Sequence, residues 1–153
     1  MGTPGANRRV AATPKQVFDV LADGWLYPVW VVGASRMREV EEAWPATDSR
    51  LHHSFGVWPL LINDKTTVIE WEPERRAVFE AEGWPLGSAR VVLTAEPDGP
   101  TGCLLTLVED AHRGPGLLMP KPLRQGMILR RNTETLRRLA YVAEGRAIGS
   151  PRE

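Results

Sequence analysis

The stretch LRQGMILRRNTETLRRLAYVAE, Leu123 to Glu144, is the only run in this 153-residue chain long and periodic enough for a full-length helix. Leu129, Leu136, Leu139 and Ala143 recur at spacings of seven, three and four, with Thr133 and Ala140 on the same side. Arg130, Arg131, Glu134, Arg137 and Arg138 fall elsewhere around the axis. That is an amphipathic helix whose apolar stripe needs a surface to cover it. Pro120 and Pro122 suit a helix entry, where a missing N–H costs little, and Gly145 suits a C-terminal cap. Residues 146–153 read as a disordered tail, and 1–145 as one domain.

The upstream residues supply that surface. Arg8–Ala12 reads as a strand. Thr13-Pro14-Lys15-Gln16 reads as a capping box opening a short helix, with Val17, Phe18, Val20 and Leu21 on its buried side and Asp23-Gly24 at its end. Trp25–Val32 reads as a second short helix, stopped at Gly33. From Met37 to Glu109 the signal changes to strands: Met37–Ala43, Arg50–Val57, Leu61–Glu72, Arg76–Glu82, Ala89–Glu96 and Leu104–Glu109. Turns rich in Pro, Asp and Gly separate them, Pro97-Asp98-Gly99-Pro100 being the strongest. Strands this close in sequence leave no room for crossover helices, so they pair antiparallel. The chain is α+β: a curved antiparallel sheet of six to seven strands around a long C-terminal helix, with two short helices after the first strand.

Totals narrow the function. Nineteen basic residues balance nineteen acidic ones, which argues against a general electrostatic grip on nucleic acid. From Lys121 to Arg146 seven basic residues face two acidic ones, which fits a solvated helix face or a docking face. Cys103, the one cysteine, excludes an intrachain disulfide and reads as a buried small hydrophobe. No apolar stretch is long enough to span a membrane and Met1–Asn7 has no apolar core, so the expected location is the cytoplasm.

Several stretches together resemble the START/Bet v 1-like (SRPBCC) superfamily, and within it the polyketide cyclase/dehydrase-like proteins. They are Thr13-Pro14 with Val17 to Asp23, then Tyr27 and Trp30-Val31 before Gly33. Trp71-Glu72-Pro73 with Arg75-Arg76 and Gly102 with Leu105 to Glu109 complete them. The likeness spans roughly residues 8–144. It implies the helix-grip fold, in which the sheet wraps the terminal helix around an internal site. The families concerned include binding proteins, lipid carriers and aromatase/cyclases, so the resemblance leaves activity open.

Strand phase nominates the wall of such a site. Leu51, His53 and Phe55 share one face, as do Ala77 with Phe79, Val91 with Leu93, and Leu105 and Leu107 with Glu109. On Leu61–Glu72 the inward face is ambiguous between Val68/Glu70 and Ile69/Trp71. Met127, Leu129, Thr133 and Leu136 are the candidate contributions of the helix. Tyr27, Trp30, Trp58 and Trp84, beside helix ends and turns, are candidates for an aromatic rim, which suits flat ligands. Trp44 and Trp71 read as core caps. The Gly/Pro-rich segment His112–Pro122 reads as a connection or a lid.

Chemistry is sparse. No Gly-rich phosphate loop and no Gly-x-Ser-x-Gly elbow occur. His52 and His53 are adjacent, so on a strand they point to opposite faces and share no ion. No metal and no cofactor is expected. His53 reads either as a neutral histidine bonded to a buried partner or as a general acid/base, with Glu109 its best candidate partner and Glu70 a second. Three functions follow. The first is binding of a small hydrophobic or aromatic molecule between sheet and helix, by a monomer or homodimer with no nucleic-acid partner and no membrane span. The second is a cyclase/dehydratase-like enzyme using His53 with Glu109 or Tyr27. The third is a co-chaperone-like interaction module using the basic helix face.

Overall fold

The computed structural model describes residues 5–32, 34–55, 62–83 and 87–149. Strand β1 (Ala6–Val10) leads into α1 (Pro14–Ala22). The Thr13 hydroxyl accepts from the Gln16 backbone N–H at 3.2 Å, and the Gln16 side chain accepts from the Thr13 N–H at 2.8 Å. This is the expected capping box, and it satisfies two donors that a helix start leaves orphaned. A 3-10 turn (Gly24–Leu26) and α2 (Tyr27–Trp30) follow. Gly24 is required here, because a Cβ would lie 2.6 Å from Leu51 and 2.8 Å from Val40.

Strands β2 (Ala34–Val40), β3 (Arg50–Phe55), β4 (Ile62–Glu72), β5 (Arg76–Gly83), β6 (Gly87–Asp98) and β7 (Gly102–Arg113) come next. A second 3-10 turn (Pro115–Leu118) then precedes α3 (Lys121–Gly149). The seven described strands form one antiparallel sheet in the order β1-β7-β6-β5-β4-β3-β2, so the first and last strands pair at β1–β7. The helix-grip arrangement, a curved sheet around a long C-terminal helix with short helices after the first strand, is the observed one.

The ambiguous phase of β4 has a structural cause. Its pairing with β5 slips between Val68 and Glu70, so Ile69 is an extra residue on the bulged strand. The bulge lets Val68 and Trp71 both face the core. Trp71 packs on Phe18 with centroids 5.1 Å apart, while Glu70 stays 3.8 Å from Arg76. Glu70 is therefore not a partner of His53.

Three expectations for the last third of the chain are corrected. First, α3 passes through Gly145 and continues to Gly149, so residues 146–149 are helical. Residues 150–153 lie outside the described ones. Second, His112 lies on β7 rather than in a loop. Third, the apolar stripe is buried only over the C-terminal half of α3, where Leu136, Leu139, Ala140 and Ala143 face the core as expected, while the buried residues of its N-terminal half are the polar Gln125, Asn132 and Thr135. Met127 is 57% and Leu129 37% exposed, and Thr133 is exposed as well. The end of α2 leaves an N–H at Val32, and the Thr135 hydroxyl accepts it at 3.3 Å, which gives one of these polar residues a buried partner.

Packing divides along α3. Its C-terminal half buries Leu136, Leu139, Ala140 and Ala143 in one cluster with Val17, Phe18, Val20 and Leu21 of α1 and Leu51, Val68, Ala77, Leu93 and Leu105 of the sheet. Each such leucine stabilises the fold by roughly 1.5–3 kcal/mol. Trp44 closes this core, stacking on Phe79 at 5.9 Å and donating its indole N–H to the Leu21 carbonyl at 3.1 Å. The N-terminal half of α3 has no comparable apolar filling, since its buried residues include Gln125 and Asn132.

Candidate functional site

Of the nominated wall residues, Tyr27, Trp30, Leu51, His53, Phe79, Leu93, Leu105, Leu107, Glu109 and Leu136 are buried, and Val91 packs partly buried against them. Leu51, Leu93, Leu105 and Leu136 belong among the most deeply buried side chains and serve as core. Met127, Leu129 and Thr133 face solvent, so their nomination fails on position. Trp58 and Trp84 lie outside the described residues, as does the side chain of Phe55.

His53 is fully buried, and its Nε2 lies 2.8 Å from the Thr66 hydroxyl. The Tyr27 hydroxyl meets the same oxygen at 2.9 Å. The Tyr27 and His53 rings stack with centroids 5.1 Å apart and planes at 20°. Burial lowers the His53 pKa to about 4, so the imidazole is neutral at pH 7. Burial likewise pushes Tyr27 up to about 12, against the Thr66 hydrogen bond and the Arg131 charge. Both groups are thus poor proton carriers at neutral pH, where an effective acid or base titrates near the working pH. The expected pairing of His53 with Glu109 is not formed. Thr66 is the partner that sequence reading missed, and its place on β4 was hidden by that strand's ambiguous phase.

Glu109 pairs instead with Arg131. One guanidinium nitrogen, Nη2, donates to both carboxylate oxygens at 2.5 Å. The Glu109 side chain is 7% exposed and that of Arg131 39%, so the pair sits where the interior meets solvent. A second pair lies nearer the start of α3. Arg124 Nε bonds Asp110 at 2.7 Å, and Nη1 donates to the Leu117 and Met119 carbonyls at 3.4 and 3.0 Å. The Arg124 hydrogen bond holds the Asp110 carboxyl below its ordinary value. Two of the arginines expected on a solvated face are therefore structural ties. The signal for Arg131 was the inward phase of Glu109, which demanded a cation.

The interior also holds orphaned donors. Trp30 Nε1 and Gln125 Nε2 are buried with no acceptor among the described residues. Each such group costs roughly 1–3 kcal/mol. On the outer side, Val29, Glu134, Arg137, Arg138, Tyr141 and Val142 line an open groove of about 240 Å³. Arg137 and Arg138 both bond Glu134 there, at 3.3 and 3.1 Å, which partly neutralises them. Among the described residues no cluster of three His, Cys, Asp or Glu side chains is placed to hold a metal. No described helix is long and apolar enough to cross a membrane.

This architecture defines a helix-grip protein of the START/Bet v 1 superfamily. Residues 6–144 match the family described as polyketide cyclase / dehydrase and lipid transport, and the chain belongs to that family. Similar solved structures agree on the fold. The di-domain ARO/CYC StfQ from the steffimycin biosynthetic pathway has a TM-score of 0.71 at 15% identity, over 94% of this chain and 51% of that one. Ara h 8.0201 scores 0.69 at 11% identity, over 97% and 99%. A START superfamily protein from Mycobacterium smegmatis scores 0.63 at 19% identity, over 95% and 97%. At these identities the likeness concerns fold alone. No curated protein matches the chain by sequence.

Proposed function

We propose that this protein binds a small hydrophobic, ring-bearing molecule between its sheet and the N-terminal half of α3. The carrying observation is the change of character along that helix. Apolar packing runs from Ala143 to Leu136, then gives way to the buried polar residues Asn132 and Gln125. A domain building only a core has no reason to bury donors without acceptors. Tyr27, Trp30, Val91 and Leu107 supply an apolar wall beside the polar Glu109–Arg131 end, the mixture small-molecule sites use. Family membership supports the same reading.

Binding is favoured over acid–base catalysis. His53 is enclosed and neutral, and it is bonded to Thr66 rather than to Glu109. It holds Tyr27 in place. Titration with the neutral probe N-phenyl-1-naphthylamine tests the proposal. Expected are saturable 1:1 fluorescence enhancement and a raised melting temperature, both abolished by Leu107→Trp in a folded variant. Absence of saturable binding by any neutral aromatic probe overturns it.

A further inference from the structure

We infer that the ligand carries an uncharged oxygen acceptor, a ketone, ester or amide carbonyl, received by the indole N–H of Trp30 and the free edge of the Arg131 guanidinium. The inference rests on the binding reading above and specifies what that site selects.

Trp30 is 6% exposed, and its Nε1 has no acceptor among the described residues. A buried indole N–H ordinarily finds one. Its ring stands edge-on to Tyr27, with centroids 5.4 Å apart at 71°. Tyr27 in turn lies within the fields of both Arg131 and Glu109. Val32, two residues beyond Trp30, is tied to Thr135, one helical turn along α3 from Arg131. Trp30 and Arg131 therefore belong to one neighbourhood. Arg131 spends only Nη2 on Glu109, and its Nε and Nη1 have no acceptor among the described residues. Gln125 Nε2, buried on the same half of α3, is a further donor without an acceptor among the described residues. The unmet groups are donors, so the missing piece is an acceptor.

Charge decides which kind. Glu109 and Arg131 already cancel, and His53 and Tyr27 are neutral at pH 7. A carboxylate would leave the neighbourhood with an uncompensated negative charge, partly buried, whereas a carbonyl leaves it neutral. The site thus discriminates against acids despite its arginine.

Three probes of nearly equal shape test this by calorimetry: 2-acetylnaphthalene, 2-ethylnaphthalene and 2-naphthoate. The ketone is expected to bind on the order of tenfold tighter than the hydrocarbon, the worth of one good hydrogen bond, and tighter than the acid. Trp30→Phe, and separately the double variant Glu109→Gln with Arg131→Met, should each shrink the ketone's advantage, read as the ratio of the ketone and 2-ethylnaphthalene dissociation constants within the same variant. The double variant strands no charge, so it keeps the test available if Trp30→Phe fails to fold. Equal binding of ketone and hydrocarbon, preference for the acid, or a ketone preference surviving in the folded variants overturns the inference while leaving the binding reading intact. Failure of all three probes to bind overturns both.

Discussion

The Nε2 of His53 lies 2.8 Å from the Thr66 hydroxyl, deep under the sheet. Thr66 also holds Tyr27, so one hydroxyl organises two rings. Thr66→Val keeps the shape and removes the bridge. It takes a hydrogen bond from each of two buried polar groups, and a loss of about 2–4 kcal/mol is expected in urea unfolding. Thr66→Ser, which keeps the oxygen, should lose less than half as much. A loss from Thr66→Ser as large as that from Thr66→Val would show that the hydroxyl bridge does not carry this stability.

Stability should fall with acid in a window set by His53. Burial lowers its pKa from 6.5 to about 4 in the folded state. Between these values the unfolded chain binds a proton that the folded chain refuses. The contribution is therefore fully present above pH 6.5 and is lost as pH falls to 4. Its size is about 3 kcal/mol. Unfolding free energies at pH 7.0 and 4.5 check this. His53→Gln should flatten the slope between them, and an unchanged slope would assign it to other groups.

Glu109 and Arg131 should respond asymmetrically to substitution. Arg131→Met leaves a carboxylate that is 7% exposed without its cation, and about 2–4 kcal/mol should be lost. Glu109→Gln frees an arginine already 39% exposed, which water can solvate, so the loss should stay below about 1.5 kcal/mol. Thermal melts of both variants decide. Equal effects would mean that Glu109 is better hydrated than its burial implies.

Gly126 and Gly145 both lie within α3, and a Cβ at either meets nothing within 4 Å. Each glycine costs helix stability without relieving a clash. Gly126→Ala and Gly145→Ala should each stabilise by about 0.5–1 kcal/mol, read as a raised melting temperature. A neutral or destabilising result at Gly145 would indicate that the helix ends there after all.

The sequence by itself determined what depends on near neighbours. The capping box at Thr13 needs only Gln16, three residues on. Two-residue alternation set the inward faces of β3, β5, β6 and β7, and Pro and Gly marked the turns that make the sheet antiparallel. Tertiary structure alone decided what depends on the opposite surface. Thr66 reaches His53 across 13 residues and Tyr27 across 39, and Arg131 reaches Glu109 across 22. A bulge at Ile69, invisible in composition, brought Val68 and Trp71 to one side. The terminal helix is the clearest case. Hydrophobic periodicity marked one stripe along α3, but only its C-terminal half meets the core of α1 and the sheet, so Leu136 is buried while Leu129 is 37% exposed. How far along a helix its covering surface extends is set by elements distant in sequence, which periodicity does not register.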